Sequence, residues 1–216
     1  MSQACTPQHT VIAGAVGDLE IMLSYPRTMT EPPTRYAVVC HPHPLHGGAM
    51  TNKVVYMITS TFNSLGLGVV RFNFRGVGKS AGSFDHGIGE TEDLKAVVRW
   101  VRDNYAPSEL WLAGFSFGSF VAMRAHRELN AKRLLLVAPA VERFDFGNLN
   151  VSADIPTLII QGDQDDVVSP QAVIDWVQAQ ENKPEFKYLP EADHFFHGQL
   201  NALRDAINEA WAEAVS

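Results

Sequence analysis

From residue 35 to near its end, the 216-residue chain alternates short apolar runs with longer amphipathic stretches. That alternation leaves few architectures open. A run too short for a helix and apolar throughout reads as a strand covered on both faces, whereas apolar residues three and four apart read as a helix buried on one side. Repeated along a chain, the pattern gives parallel strands joined by right-handed helical crossovers. Strands are expected at 11–13, 19–24, 35–40, 68–74, 110–115, 133–138, 157–161 and 186–189, the first two as an antiparallel opening pair. Helices are expected at 52–65, 89–105, 117–129, 170–180 and 198–214, with Ser169 and Pro170 as an N-cap and first-turn pair. Glu31-Pro32-Pro33 marks a turn between the opening pair and the buried sheet.

Such a sheet needs a large core, and 46% hydrophobic with 19% charged residues suits a single domain over 1–216. No linker, internal repeat or low-complexity tract divides it. A net charge of −7 with no Lys/Arg run argues against a nucleic-acid partner. The first ten residues lack the basic start and apolar stretch of a secretory leader, and no unbroken apolar run reaches the roughly eighteen residues of a membrane span. A soluble, cytoplasmic protein with no membrane partner is expected, its oligomeric state left open. Cys5 and Cys40 form no C-x-x-C spacing and no disulfide framework, so both are expected as free thiols.

The chemistry is concentrated after the apolar run that ends at Phe115. Gly114-Phe-Ser116-Phe-Gly118 fits the G-x-S-x-G elbow, in which a strand turns sharply into a helix and leaves the central hydroxyl projecting over the sheet. Glycines flank it because the backbones come too close for a Cβ. Ser116 is therefore the candidate nucleophile. A second unusual stretch, His41-Pro-His-Pro-Leu-His46-Gly-Gly48, follows the third expected strand. Pro42 and Pro44 have no N–H, so only His41, His43, Leu45 and later residues could donate from this backbone. The histidines could be read as metal ligands, but closely spaced on a Pro-stiffened loop they lack a distant ligand set, and no metal is expected. Gly76-Val-Gly78-Lys79-Ser80 looks like the end of a P-loop, yet Asn73 stands where the first glycine is needed, so no nucleotide site is expected. The acidic run Glu90 to Asp93 opens a helix and reads as favourable charge at its positive end.

The strand order with an elbow serine after the fifth strand resembles the α/β-hydrolase superfamily over nearly the whole chain. The wording His-Pro-His-Pro-Leu-His-Gly-Gly, Arg-Phe-Asn-Phe-Arg-Gly-Val-Gly-Lys-Ser and Gly-Phe-Ser-Phe-Gly is similar to small hydrolases related to the dienelactone hydrolases. Those use Cys as nucleophile where this chain has Ser116, so their substrate is not carried over. The resemblance implies an α/β-hydrolase fold: an eight-stranded, mostly parallel sheet, helices on both faces and no cap domain. Caps usually enter between the sixth and seventh strands, and here only residues 141–156 lie there. Phe144 and Phe146 in that segment could line an acyl pocket or simply pack it down.

The resemblance also implies a triad in the order serine, acid, histidine. After Gln161 the chain runs Gly-Asp163-Gln-Asp165-Asp166-Val-Val, and the superfamily's register selects Asp165, leaving Asp163 and Asp166 to local turn chemistry. In Glu191-Ala-Asp-His194-Phe-Phe-His197, His194 takes the position before a hydrophobic pair, and His197 is the rival at the mouth of the last helix. The superfamily's oxyanion turn aligns with His41-Pro42-His43. The backbone N–H groups of His43 and Phe117 are then the expected oxyanion donors, with Leu45 an alternative to His43. The function implied is a serine hydrolase needing no cofactor, a carboxylesterase on small or short-acyl ester substrates. Thioesterase or peptidase activity on the same residues is the enzymatic alternative, and a catalytically idle fold used as an interaction module the non-enzymatic one.

Overall fold

The computed structural model describes residues 7–28 and 31–213, so Cys5 and the end of the last expected helix at Ala214 lie outside the described residues. Eight strands form one sheet: β1 (Gln8–Ala13), β2 (Asp18–Ser24), β3 (Arg35–Cys40), β4 (Gly68–Phe72), β5 (Glu109–Phe115), β6 (Arg133–Val137), β7 (Thr157–Gly162) and β8 (Glu185–Leu189). Their order is β1-β2-β4-β3-β5-β6-β7-β8. The opening hairpin is antiparallel, as is the β2 edge against β4, and every later pairing is parallel. Val38 lies opposite both Val70 and Leu112, which aligns three apolar strands at the centre.

Strand alternation divides the core into two layers. Tyr36, Val38 and Cys40 face one side, covered by α2 (Ile88–Tyr105), α3 (Phe117–Ala125) and α4 (Pro170–Ala179). Ala37 and Val39 face the other, covered by α1 (Lys53–Ser64) and α5 (Leu200–Trp211). Because central strands are buried on both faces, each enclosed Val or Leu contributes about 1.5–3 kcal/mol, and the sheet needs no polar face. β8 differs: it pairs only with β7, and each of its residues keeps some exposure. Ser169 caps α4 with its Oγ accepting from Ala172 N at 3.3 Å, and Pro170 starts the helix.

Several boundaries depart from the sequence expectation for identifiable reasons. β4 ends at Phe72: Asn73 N still donates to Glu20 O, its partner in the β2 register, but Phe74 N turns away to the His41 ring. α3 stops at Ala125, where the chain turns through Asn130 at φ 48°. α5 begins at Leu200, since Phe196 and Gly198 both hold positive φ. The acidic start of α2 is more than a dipole effect. Asp93 is fully buried and takes the Arg75 guanidinium, with Nη2 to Oδ1 at 2.8 Å and Nε to Oδ2 at 3.0 Å. Buried Glu90 accepts from Asp85 N and Gly87 N, so both carboxylates tie the turn after β4 to α2. Among the described residues no helix is long and apolar enough to cross a membrane.

Between β6 and β7 there is no helix or strand, only a strap of turns. Arg143 Nη2 donates to Val167 O at 2.9 Å and Ser169 N to Glu142 Oε2 at 3.1 Å, so the strap is tied to the start of α4. The fold therefore carries no lid.

Candidate active site

The elbow forms because β5 ends in a position where the next residue must reverse the chain. Ser116 has φ 54° and ψ −114°, a conformation that costs a side-chain-bearing residue about 1–3 kcal/mol. It is held there by Ser116 N donating to Val137 O at 2.9 Å, and by the buried Ser119 hydroxyl against Gly114 O at 2.8 Å. The glycines on either side are required. A Cβ on Gly114 would sit 2.1 Å from Gly118 O, and one on Gly118 would sit 2.4 Å from Cys40 O.

Ser116, Asp165 and His194, far apart in sequence, meet above the carboxyl ends of β5 and β7. His194 Nε2 lies 3.1 Å from Ser116 Oγ, and His194 Nδ1 lies 2.8 Å from Asp165 Oδ2. All three are buried, with 7% of Ser116 and 3% of His194 exposed. Burial pushes the Asp165 carboxyl up, but hydrogen bonds from His194, Val168 N and Gln161, together with the histidine's charge, bring it below the usual carboxylate value. An ionised Asp165 has no proton to give. The hydrogen of that pair therefore belongs to His194 Nδ1, and Nε2 presents a lone pair to the serine hydroxyl.

The loops carrying the acid and the base are fastened to one another. Gln164 N donates to Ala192 O at 3.0 Å, and Glu191 N to Asp163 Oδ1 at 2.6 Å. Asp163 is thus a cross-loop staple rather than the local turn former expected from sequence, while Asp166 is exposed. The fully buried Phe196 anchors the segment after His194 in the α5 layer, and Phe115 packs against the His194 ring at 5.1 Å. His197 stays apart: its Nδ1 pairs with Asp193 Oδ2 at 2.7 Å in a largely exposed position.

The His41–Gly48 stretch closes the other side. His41 is fully buried, its Nε2 accepting from Phe74 N at 3.0 Å and its Nδ1 donating to Pro42 O at 2.6 Å. Burial drives its pKa down to about 4, so it is neutral, and both ring nitrogens are taken by protein partners. His43 and His46 stack on each other at 4.5 Å around a single 3₁₀ turn, Pro44–His46. The Leu45 N–H donates to His43 Nδ1 at 3.2 Å, which engages the alternative donor. The His43 ring packs on Phe117 at 5.2 Å, bringing this loop against the start of α3.

Two participants escaped the sequence reading. Gln161, fully buried at the end of β7, donates from Nε2 to Asp165 Oδ2 at 2.9 Å, so the carboxylate accepts four hydrogen bonds in all. A polar residue closing an otherwise apolar buried strand was the available signal, since a buried amide needs a partner. Phe84, in the loop before α2, packs on His43 at 4.7 Å and Phe117 at 5.7 Å. Nothing in its sequence surroundings marked it. Of the strap aromatics, Phe146 is buried against Phe120 and Trp176, and half-buried Phe144 lies 5.0 Å from Phe117 and 5.9 Å from His43. Phe144 alone of the two borders the site.

Comparison with known proteins gives the same direction. A family model for serine aminopeptidases, S33, matches residues 37–151, a span that holds Ser116 but ends before Asp165 and His194. An uncharacterized protein of Rickettsia prowazekii is 40% identical over 191 residues, 83% of this chain and 79% of its own. A lidless α/β serine hydrolase of Xanthomonas campestris superposes with a TM-score of 0.91 at 43% identity, covering 96% of this chain and 94% of that one. An α/β serine hydrolase homologue of Coxiella burnetii gives 0.90 at 43% identity over 98% of both chains.

Proposed function

The chain belongs to the α/β-hydrolase superfamily, and from that premise we propose that it is a carboxylesterase for small or short-acyl esters, with Ser116 as nucleophile, His194 as general base and acid, and Asp165 as the group that orients the imidazole. The single observation carrying this reading is the hydrogen-bonded relay from Asp165 through His194 to Ser116, ending on a strained elbow hydroxyl.

The steps follow from the geometry. Ser116 Oγ attacks the ester carbonyl carbon while its proton passes to His194 Nε2. The imidazolium so formed is stabilised by the Asp165 carboxylate. The tetrahedral oxyanion accepts hydrogen bonds from the Phe117 N–H, at the first turn of α3, and from the His43 N–H. His43 is preferred to Leu45 because the Leu45 N–H already serves the His43 ring. Collapse breaks the bond to the alcohol oxygen, which takes the proton from His194. Water, deprotonated by His194, then attacks the acyl carbon, and the acyl–Oγ bond breaks as His194 returns that proton to Ser116 Oγ, releasing the acid. His41, locked as a neutral ring between Phe74 N and Pro42 O, keeps the donor loop in place without itself exchanging protons near neutrality.

The short-acyl preference rests on the absent lid. Each methylene enclosed by protein contributes about 0.8 kcal/mol, so an enclosed channel raises kcat/KM severalfold per carbon. Here the strap is drawn down toward α4, and Phe144 offers a wall rather than a tunnel. On a series of p-nitrophenyl esters, kcat/KM is expected to peak at short acyl chains and then flatten or fall, with no activation at a lipid interface. A steady climb through long chains overturns the short-acyl assignment. Parallel assays on thioesters and on amino-acid p-nitroanilides test the two enzymatic alternatives. Faster turnover of the anilides would turn the reading to peptidase, in line with the family model.

A further inference from the structure

Arg71 lies on β4, its side chain toward α1, and the hydrolytic chemistry has no use for it. Only 7% of the residue is exposed. Nη1 donates to Met50 O at 3.2 Å, Nη2 faces the weak acceptor Met22 Sδ at 3.0 Å, and among the described residues Nε–H has no partner. The guanidinium carbon stands 5.5 Å from the centre of the Tyr56 ring. Among the described residues no carboxylate forms an ion pair with it. Glu20, two positions along the neighbouring strand from Met22, is taken up by Asn73, Lys79 N and His9.

This is an unfavourable way to bury a charge. A guanidinium cannot escape by losing its proton, and a buried cation lacking a counter-ion is strongly destabilising unless something else neutralises it. A methionine would fill the same space without that penalty. Beside Arg71 opens a cavity of about 680 Å³, also lined by Tyr56, Thr59, Ser60 and Asn63 of α1 and by the exposed Arg27. Its volume lies in the range that holds small organic ligands. None of its lining residues comes from the elbow or from the loops bearing Asp165 and His194. A planar guanidinium without a counter-ion, hydroxyls nearby and a second cation on the wall make an environment for an oxyanion.

We infer that this cavity is a second ligand site, taking a small organic anion by its carboxylate or phosphate group, with Arg71 as the buried counter-charge. Thermal unfolding at constant ionic strength, with succinate in one arm and inorganic phosphate in another against a chloride control, tests this without reading ester hydrolysis, so its outcome is independent of the proposed function. The wild-type Tm is expected to rise in at least one arm, by about 5–10 °C when the anion exceeds its dissociation constant about a hundredfold. Arg71→Met is expected to lose that rise while its anion-free Tm stays at or above the wild-type value. Ser60→Trp, an exposed helix position that leaves Arg71 intact and obstructs the cavity, is expected to weaken the rise and carries the test if Arg71→Met does not fold. The site is overturned if neither anion moves the wild-type Tm beyond chloride, or if the rise survives in Arg71→Met or is unchanged in Ser60→Trp. A lower anion-free Tm in Arg71→Met together with no anion effect in wild type would reduce Arg71 to a clamp on Met50.

Discussion

Ser116→Ala is expected to lower kcat on any ester the protein turns over by about a millionfold, the loss seen when a triad nucleophile is removed. What remains is whatever the oxyanion donors and substrate binding supply. The fold is expected to survive, because alanine keeps the Cβ that the elbow already accommodates and removes only the hydroxyl. A fluorophosphonate probe followed by peptide mapping checks the assignment directly: wild type is labelled at Ser116 and the variant is unlabelled. Labelling that persists in Ser116→Ala, or its absence in folded wild type, would sink the proposed reading, whereas loss of labelling with full retention of secondary structure supports it.

The second large effect is at the acid. Asp165→Asn is expected to cost about ten-thousandfold in kcat with little change in fold. The reason is a proton. The amide can present Nδ2–H to His194 Nδ1, which then must be the unprotonated nitrogen, leaving the hydrogen on Nε2 where the lone pair is needed. Asp166→Asn, at an exposed position, is expected to be near wild type. Asp163→Asn is expected to lose far less than Asp165→Asn, since an amide oxygen can still accept from Glu191 N and keep the two loops joined. Comparable losses in all three variants would mean the wrong carboxylate has been chosen.

Much of this site could be read in the sequence because its parts obey local rules. The strand runs 35–40, 110–115 and 157–161 are predominantly apolar since both faces are covered, and Gly114 and Gly118 betray the elbow through the space they leave empty. The superfamily's register, in which Val167-Val168 follow the acid, selects Asp165, and those two N–H groups turn back onto its Oδ1 at 2.9 and 2.7 Å. What stayed hidden depends on chain reversals that no short window contains. Arg75 and Asp93 join across 18 positions, Asp163 reaches Glu191 across 28, and Phe84 meets Phe117 only after α2 has carried the chain back to the sheet. The end of α3 and the start of α5 differ from the sequence expectation near Asn130 and Phe196, non-glycine residues at positive φ, because neighbouring residue types do not announce that choice.

The placement of β8 carries a consequence for how the protein fails. The serine stands at the interior of the sheet, whereas the histidine follows the outermost strand, which has a single neighbour and partial exposure along its length. Such an edge opens locally at less cost than the whole molecule unfolds. On warming, excursions of this corner are expected to separate His194 from Ser116 while the other seven strands remain paired, so that turnover by the proposed mechanism fades at temperatures where circular dichroism still reports an intact sheet, and returns on cooling. In the proposed mechanism, a growing chain is expected to be without turnover until β8 has docked, because Ser116 is synthesised 78 residues before His194.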